Sequence, residues 1–373
     1  MELSIILPCR NEEQSLDSCL KSIKETIKKY KINAEIIVSD SSTDKSPKIA
    51  EKHNIILVKH NKDGYGNAYL EAFKHTKGKY IFMADCDGTY DFGEIPHFIN
   101  YLKKGYDFAI GDRFKGKMEN GSMPFSHKYI GNPILSSILR LFFNAKIHDT
   151  HCGMRAISKE ALSKLNLQTT GMEFASEMII QAIKNKLKIK QIPINYYKRK
   201  GKSKLKPFID GWRHLRFMLL YSPMFLFFIP GIFLFILGII SGILFYFGKF
   251  SFFGIKFFYH PLFLSSLALI IGYQLIIFSA FAKTYAITAL NENSKIMNKL
   301  YKYLTIKNAS LSGLFAMFIG IIIYISIFFK WINSNFGSLN EVKNSILAST
   351  LIILGAQTIF SSFMLSILGI KRK

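Results

Sequence analysis

The sequence is poor in the residues that build closed metal or redox sites. Only four cysteines occur in 373 residues (Cys9, Cys19, Cys86 and Cys152). None stands in a C-x-x-C pair or at zinc-like spacing, which argues against a disulfide framework or a zinc module. They read as buried thiols in a reducing compartment. Nine histidines are scattered without a metal pattern. No G-x-x-x-x-G-K-[ST] loop is present, so nucleoside-triphosphate hydrolysis has no support, and the first apolar strand is followed by Pro8 and charged residues rather than by a dinucleotide fingerprint. No early segment has the apolar core of a secretory signal. Met1–Pro8 reads as a buried strand, which keeps the N-terminal domain on the side where it is made.

Acidic residues are also scarce: 25 against 49 basic ones, a formal charge of +24. Such an excess can serve nucleic acid, but the basic residues here have no aromatic stacking platform around them, and no nucleic-acid partner is expected. Membrane proteins gather Lys and Arg at the cytoplasmic face and near anionic headgroups instead. From Phe217 onward charge nearly disappears from long apolar runs. A membrane-spanning helix needs about 20 such residues, and four spans are expected near 217–245, 258–282, 309–329 and 346–370. Lys283, Lys295, Lys299, Lys302 and Lys307 fall between the second and third spans, and the chain ends Lys371-Arg372-Lys373. The basic bias puts that loop and both termini on the cytoplasmic side of a multi-pass cell-membrane protein.

The first 200 residues alternate short apolar strands with helix-forming stretches. Strands are expected at Leu3–Leu7 (stopped by Pro8), Glu35–Val38, Ile55–Val58, Tyr80–Ala84, Phe108–Ile110, Met154–Ile157 and Ile189–Tyr197. Helices are expected at Glu12–Tyr30, Ser42–His53, Tyr69–His75, Asn132–Phe143 and Glu173–Lys184. Continuous apolar strands between helices imply a mostly parallel sheet covered on both faces. Ligands bind such sheets beyond the carboxyl ends of the strands, where the polar clusters Arg10–Glu12, Asp40–Asp44 and Asp85–Asp87 fall.

Asp85 and Asp87 flank Cys86 at the end of an apolar strand. Paired carboxylates there suit a hard divalent ion, Mg²⁺ or Mn²⁺, which keeps coordination positions for phosphate oxygens; two acids near a turn are also common in any fold. Gly64 and Gly66 precede a helix, where they either let the backbone approach a ligand or merely make a turn. Lys198–Lys206 is a basic loop, and Pro207–Arg216 repeats Ile209, Trp212 and Leu215 at one-turn spacing with Arg213 and Arg216 nearby. That helix lies either in the headgroup layer or on its own domain.

Several blocks in fixed order carry a family resemblance: S4-I-I-L-P-C-R-N-E-E, I37-V-S-D-S-S-T-D, G64-Y-G-N-A, D85-C-D, G111-D-R-F, D149-T-H-C-G-M-R, the acidic helix around Glu173 and Glu177, and R199-K-G-K-S-K-L. With them the chain resembles family-2 glycosyltransferases of the GT-A fold, in the branch of dolichyl-phosphate mannose or glucose synthases. The resemblance covers about residues 2–216 and implies an α/β nucleotide-diphospho-sugar transferase domain over 1–205; the apolar pattern adds an interface helix over 206–216 and an all-α region of four transmembrane helices over 217–373. It implies that Pro8, Asn11 and Glu12 line the nucleoside pocket and that Asp40 reaches the base. The family's D-D-G-S is Ser39-Asp40-Ser41-Ser42 here: the Gly is absent and the Asp retained. Asp85 and Asp87 would hold the metal and diphosphate. Arg113, Asp149, Arg155 and Glu177 fall in blocks that shape the phosphate and sugar sites. Gly64 and Gly66 belong to the donor side, and Arg199, Ser203 and Lys204 match a loop near the donor and the lipid phosphate.

The implied partners are a nucleotide-sugar donor, GDP-mannose or UDP-glucose, a polyprenyl or dolichyl phosphate acceptor, and the bilayer. The transmembrane helices could also pair with a second copy of the chain. Two anionic substrates must be brought together by cations, for which Arg155, Arg199 and Lys204 are the candidates, and in-line attack would invert the anomeric carbon. A processive polysaccharide synthase shares this layout but carries a Q-x-x-R-W block, and Gly211-Trp212-Arg213-His214-Leu215-Arg216 does not replace it. A transporter would leave the ordered Asp and Gly blocks unexplained.

Overall fold

A computed structural model describes residues 1–201, 207–248, 251–252, 255–256, 258–289 and 306–369. Ser203 and Lys204, and the lysines at 295, 299, 302, 371 and 373, lie outside the described residues. The chain divides into two compact units, Met1–Tyr221 and Ser222–Lys373.

In the first unit seven strands form one sheet in the order β3-β2-β1-β4-β6-β5-β7. They are β1 (Leu3–Cys9), β2 (Ala34–Asp40), β3 (Ile56–Lys59), β4 (Tyr80–Met83), β5 (Phe108–Asp112), β6 (Arg155–Ser158) and β7 (Ile189–Pro193). All neighbours are parallel except β6, which runs against both β4 and β5. The reversal of β6 has a consequence for the site. Its first residue, Arg155, and the loop before it arrive at the same edge as the carboxyl ends of β1, β2, β4 and β5. Leu3, Ile5, Ile6 and Leu7 are fully buried, as expected for a strand covered on both faces.

β1 does not stop at Pro8. It continues to Cys9, with Pro8 in register with Ser39 and Cys9 with Asp40. Ile6 and Pro8 point their backbone groups toward β4, whose ladder ends at Met83 opposite Ile6. Beyond that rung a missing N–H costs no strand bond, so proline is tolerated there.

Helix α1 (Leu16–Tyr30) buries Leu16, Cys19, Leu20 and Ile23, a stripe at helical spacing. α2 (Ser46–Lys52) starts four residues later than expected. Ser42, Thr43 and Asp44 are taken by the neighbouring loop: the Asn11 amide N–H donates to Ser42 Oγ at 2.7 Å, and the Thr43 N–H donates to Asn11 Oδ1 at 2.7 Å. α3 (Tyr65–Phe73), α4 (Ile95–Lys103), α5 (Asn132–Phe143), α6 (Lys159–Ser163) and α7 (Phe174–Lys184) complete the cover. α8 spans Pro207–Leu220 and so takes in Phe217, where the first membrane span was expected to begin. Phe217 and Met218 are buried against the core of this unit, because an apolar run can serve a protein interior as well as a bilayer.

The second unit holds four helices long and apolar enough to cross a membrane: Met224–Phe247, His260–Thr288, Lys307–Asn333 and Val342–Gly369. They correspond to α9 (Ile229–Phe247, continuing a short turn from Met224), α10 (His260–Ala289), α11 (Ile306–Asn333) and α12 (Val342–Gly369). α9 packs on α10, α11 on α12, and α10 on α12. Gly313 and Gly355 bring α11 and α12 to backbone contact: a Cβ on Gly313 would lie 2.7 Å from the Gly355 carbonyl oxygen. Hydroxyl pairs close the α10–α12 face, Ser266 with Thr350 and Tyr273 with Thr358, each at 2.6 Å.

Candidate active site

The polar ends of β1, β2, β4 and β5 converge on one edge of the sheet. Asp87 is 7% exposed. Its Oδ1 accepts from the Thr89 N–H at 3.0 Å and the Thr89 hydroxyl at 2.6 Å, and its Oδ2 accepts from Arg199 Nη1 at 3.0 Å. The other Arg199 nitrogen, Nη2, donates to Glu12 Oε1. Arg199 thus spans carboxylates from the ends of β1 and β4. Its backbone is pinned beside them, since the Lys200 N–H donates to the Asp87 carbonyl at 2.9 Å and the Tyr197 N–H to the Thr89 carbonyl at 3.0 Å.

Asp85 receives a hydrogen bond from the Tyr65 hydroxyl, and its carboxyl is pushed up to about 7, first by burial and then by the charge of Asp87. Tyr65, Arg199 and Arg113 oppose that shift. Two crowded carboxylates that resist being charged together are suited to a divalent cation. Among the described residues no three His, Cys, Asp or Glu side chains gather around one point. An ion held here would take Asp85 and Asp87 and leave its other positions to substrate oxygens, as Mg²⁺ and Mn²⁺ commonly do.

On the nucleoside side, Asp40 is 3% exposed and its Oδ1 is buried with no hydrogen-bond partner among the described residues. A buried acceptor left unpaired is costly, and the N–H edge of a base would satisfy it. Asn11 takes a left-handed conformation (φ 54°) and its Oδ1 joins the loops after β1 and β2. Pro8 and Glu12 stand at the same strand end.

Four of the expected site residues make close contacts within the protein itself. Arg155, expected to gather phosphates, is 2% exposed. Its Nε, Nη1 and Nη2 donate to the carbonyls of Cys152, Ala175 and Thr150 at 2.8, 2.9 and 3.1 Å. It braces the loop before β6 against α7. Glu177 is fully buried and accepts from the Gln168 N–H, the Thr169 N–H and the Thr169 hydroxyl, the last at 2.6 Å. That fixes residues 169–171, against which Gly64 and Gly66 press. A Cβ on Gly64 would lie 2.2 Å from the Thr170 carbonyl oxygen, and one on Gly66 2.1 Å from that of Thr169. The glycines therefore admit the chain's own backbone at close range. What they position is Tyr65, a residue the sequence reading missed.

Arg113 and Asp149 form a buried two-point ion pair, with Nε on Oδ2 at 2.7 Å and Nη2 on Oδ1 at 2.9 Å. The Arg113 guanidinium also lies 5.3 Å from the ring centre of Tyr196. Behind this pair runs a polar chain that sequence reasoning also missed. Ser136 on α5 meets Thr150, Thr150 meets His151, and Ser176 on α7 lies 3.3 Å from His151 Nε2 and 2.8 Å from His214 Nδ1 on α8. Burial first, and then the nearby Arg155, hold His214 down at about 4. His151 is pushed well below its ordinary range by burial, then by His214, Arg113 and Arg155. An unfolded histidine takes up a proton near pH 6.5, whereas these remain neutral in the fold. Their contribution to stability is present above about pH 6.5 and is lost as pH falls toward about 4. Asp85, pushed up to about 7, acts in the opposite sense over the same window, so the histidine contribution is read as a difference: from pH 7 to about 4.5 the melting temperature of wild type should lose more, or gain less, than that of His214→Asn. Equal changes in the two proteins would contradict this reading.

The geometry can be set beside known proteins. The profile described as glycosyl transferase family 2 matches residues 4–165, and that of the family-2 C-terminal transmembrane region matches residues 280–369. The low-salt glycan biosynthesis hexosyltransferase Agl6 of Haloferax volcanii is 36% identical over 368 residues, covering 98% of this chain and 89% of that protein. A dolichyl-phosphate hexose transferase of the same organism is 31% identical over 211 residues, 56% of this chain and 89% of that protein. Mannosyl-3-phosphoglycerate synthase from Rubrobacter xylanophilus superposes with a TM-score of 0.50 at 17% identity, over 58% of this chain and 73% of that one, a likeness of fold alone. With a relative 36% identical along 98% of its length, and with both family profiles in order, the chain belongs to the family-2 glycosyltransferases.

Proposed function

We propose that this glycosyltransferase moves a hexose from a nucleotide-diphospho-sugar, GDP-mannose or UDP-glucose, to a polyprenyl or dolichyl phosphate, with inversion, at the cytoplasmic face of the cell membrane. The observation that carries the reading is the Asp85–Asp87 carboxylate pair at the end of β4 with Arg199 across it. Asp40 would receive the base, and Pro8, Asn11 and Glu12 would line the nucleoside. Asp85 and Asp87 would hold Mg²⁺ or Mn²⁺, an ion that neutralises the charge of a departing diphosphate. Arg199 adds a cation at the same place, and an oriented guanidinium can hold phosphate through two parallel hydrogen bonds.

An acceptor phosphate is largely ionised near neutrality, its second pKa being about 6. No strong general base is then required, and the work of the protein is to bring two anions together. Lys204 and Ser203 would join Arg199 there. Arg113 would act from beside the site, its charge already matched by Asp149.

Membrane placement has its own support. The four apolar helices make a membrane region. Phe208, Ile209 and Trp212 on α8 are 93%, 49% and 61% exposed, beside Arg213 and Arg216. An apolar face edged with basic residues suits a headgroup layer, and the names of the Haloferax volcanii relatives favour a hexose donor and a dolichyl-type acceptor.

One experiment tests reaction and sidedness together. Sealed inside-out membrane vesicles containing the protein are supplied with each radiolabelled nucleotide-sugar and a short polyprenyl phosphate, in parallel with right-side-out vesicles. Label should enter the lipid from one donor, only in the inside-out preparation. Transfer to a glycan but not to the lipid phosphate would overturn the acceptor, and transfer in right-side-out vesicles alone would overturn the sidedness.

A further inference from the structure

Both carboxylate oxygens of Asp87 already have protein partners. Oδ1 is held by Thr89, two residues away in the same turn. Oδ2 is held by Arg199, which comes from 112 residues further along the chain and whose side chain is 23% exposed. Among the described residues Oδ1 accepts two hydrogen bonds and Oδ2 only one, so an ion that uses Asp87 arrives at Oδ2, where the like charge of the Arg199 guanidinium opposes it. The Thr89 contacts belong to the local turn after β4, between residues two apart in the chain. The Arg199 contact can be given up by side-chain rotation alone, because Tyr197 and Lys200 keep the backbone in place. Arg199 Nε is buried and has no hydrogen-bond partner among the described residues, so this guanidinium has donor capacity that the two carboxylates do not use.

From this geometry, and resting on the metal reading above, we propose that Arg199 is an exchangeable counter-ion of the donor site, which competes with the divalent ion for Asp87 until a diphosphate draws it away. Three consequences follow from charge alone. Without nucleotide, the ion binds weakly, since a guanidinium stands 3.0 Å from its ligand oxygen and repels it. A diphosphate offers Arg199 a better anion and brings oxygens for the metal, so metal and nucleotide each strengthen the other's binding. The same exchange moves Arg199 from carboxylate to phosphate, so it reaches its working partner only once the donor is seated. Glu12, which shares the guanidinium, would keep the side chain close to the site during the exchange.

The test is a binding measurement and needs no turnover. Mn²⁺ is titrated into the purified full chain in detergent, and the free ion is read by electron paramagnetic resonance, with and without nucleoside diphosphate. Four proteins are compared: wild type, Arg199→Gln, Arg199→Lys and Asp87→Asn. Without nucleotide, Arg199→Gln should bind Mn²⁺ at least about tenfold more tightly than wild type, a modest share of what removing an adjacent charge can yield in a partly buried site. Arg199→Lys, which keeps the charge but cannot span both carboxylates, should fall between them. Nucleoside diphosphate should tighten Mn²⁺ strongly in wild type and far less in Arg199→Gln. If both Arg199 variants bind the ion as wild type does or more weakly, while Asp87→Asn still loses it, Arg199 is no competitor and the proposal fails although the metal site stands. If Asp87→Asn binds as wild type does, the metal assignment itself fails, and the counter-ion proposal with it.

Discussion

Replacing Asp87 with alanine is expected to lower sugar transfer by about 10²–10³-fold or more, the scale on which a positioned electrostatic stabiliser contributes to a transition state. The fold should survive. Asp87 sits at a loop end, and what it leaves behind is the N–H and hydroxyl of Thr89, which is 2% exposed, and Arg199, which is partly exposed and keeps Glu12. Three hydrogen bonds at about 1 kcal/mol each are lost, against a domain stability of about 5–15 kcal/mol. The protein should therefore stay folded with a lowered melting temperature while turnover collapses. Excess chelator should have the same effect on wild type, reversed by Mg²⁺ or Mn²⁺. Full turnover in chelator, or an Asp87→Ala protein that transfers sugar normally, would rule the assignment out.

The second large effect is on stability. Asp149 is fully buried and Arg113 is 6% exposed, and the guanidinium uses Nε and Nη2 on the two carboxylate oxygens. Asp149 also accepts the Arg113 backbone N–H at 3.1 Å, which ties the end of β5 to the loop before β6. Asp149→Ala leaves a buried cation without its anion, which costs about 3–5 kcal/mol. It should lower the melting temperature steeply or reduce the folded yield. Pairing the change with Arg113→Met removes the stranded charge and should restore most of the loss, because a buried ion pair replaced by apolar residues of similar volume is often neutral. Urea unfolding of the three proteins reads this directly. An Asp149→Ala protein as stable as wild type would show that Arg113 finds another anion or water. The double variant has a second use, since a folded but inactive protein would place Arg113's charge in the reaction rather than in the scaffold.

Several features could be read before any fold was known, because their cause is local. Apolar runs of more than twenty residues leave few options, and four helices long and apolar enough to cross a membrane are present. The strand that runs into D-C-D announces its own edge, and both carboxylates lie there with Arg199. What escaped the sequence depends on partners far along the chain. Gly64 and Gly66 look the same whether a phosphate or a carbonyl approaches them, and the carbonyls that do are those of Thr169 and Thr170. Arg155 and Glu177 are charged residues in a family block, yet their charges are spent on backbone groups brought in by the reversal of β6 and the start of α7. Tyr65 and His151 stood inside family blocks without a role of their own, and nothing in the spacing of His151, Ser176 and His214 hints that they meet. The end of α8 was misread for a related reason: Phe217 and Met218 satisfy a protein core with the side chains that a bilayer would also accept.

The pairing of the four long helices sets an order of assembly. α9 lies against α10 and α11 against α12, each the next helix along the chain, so most of the second unit's packing joins segments made within seconds of each other. Local pairings of this kind close short loops and form early. The α9–α10 hairpin needs nothing synthesised after Ala289 to find its partner. The α11–α12 hairpin waits for the last helix, and so does the face that joins the two hairpins, with its Ser266–Thr350 and Tyr273–Thr358 hydroxyl pairs and the Tyr246–Asn344 contact. The unit can therefore enter the membrane as two ready-made hairpins, and its final step is the docking of one on the other.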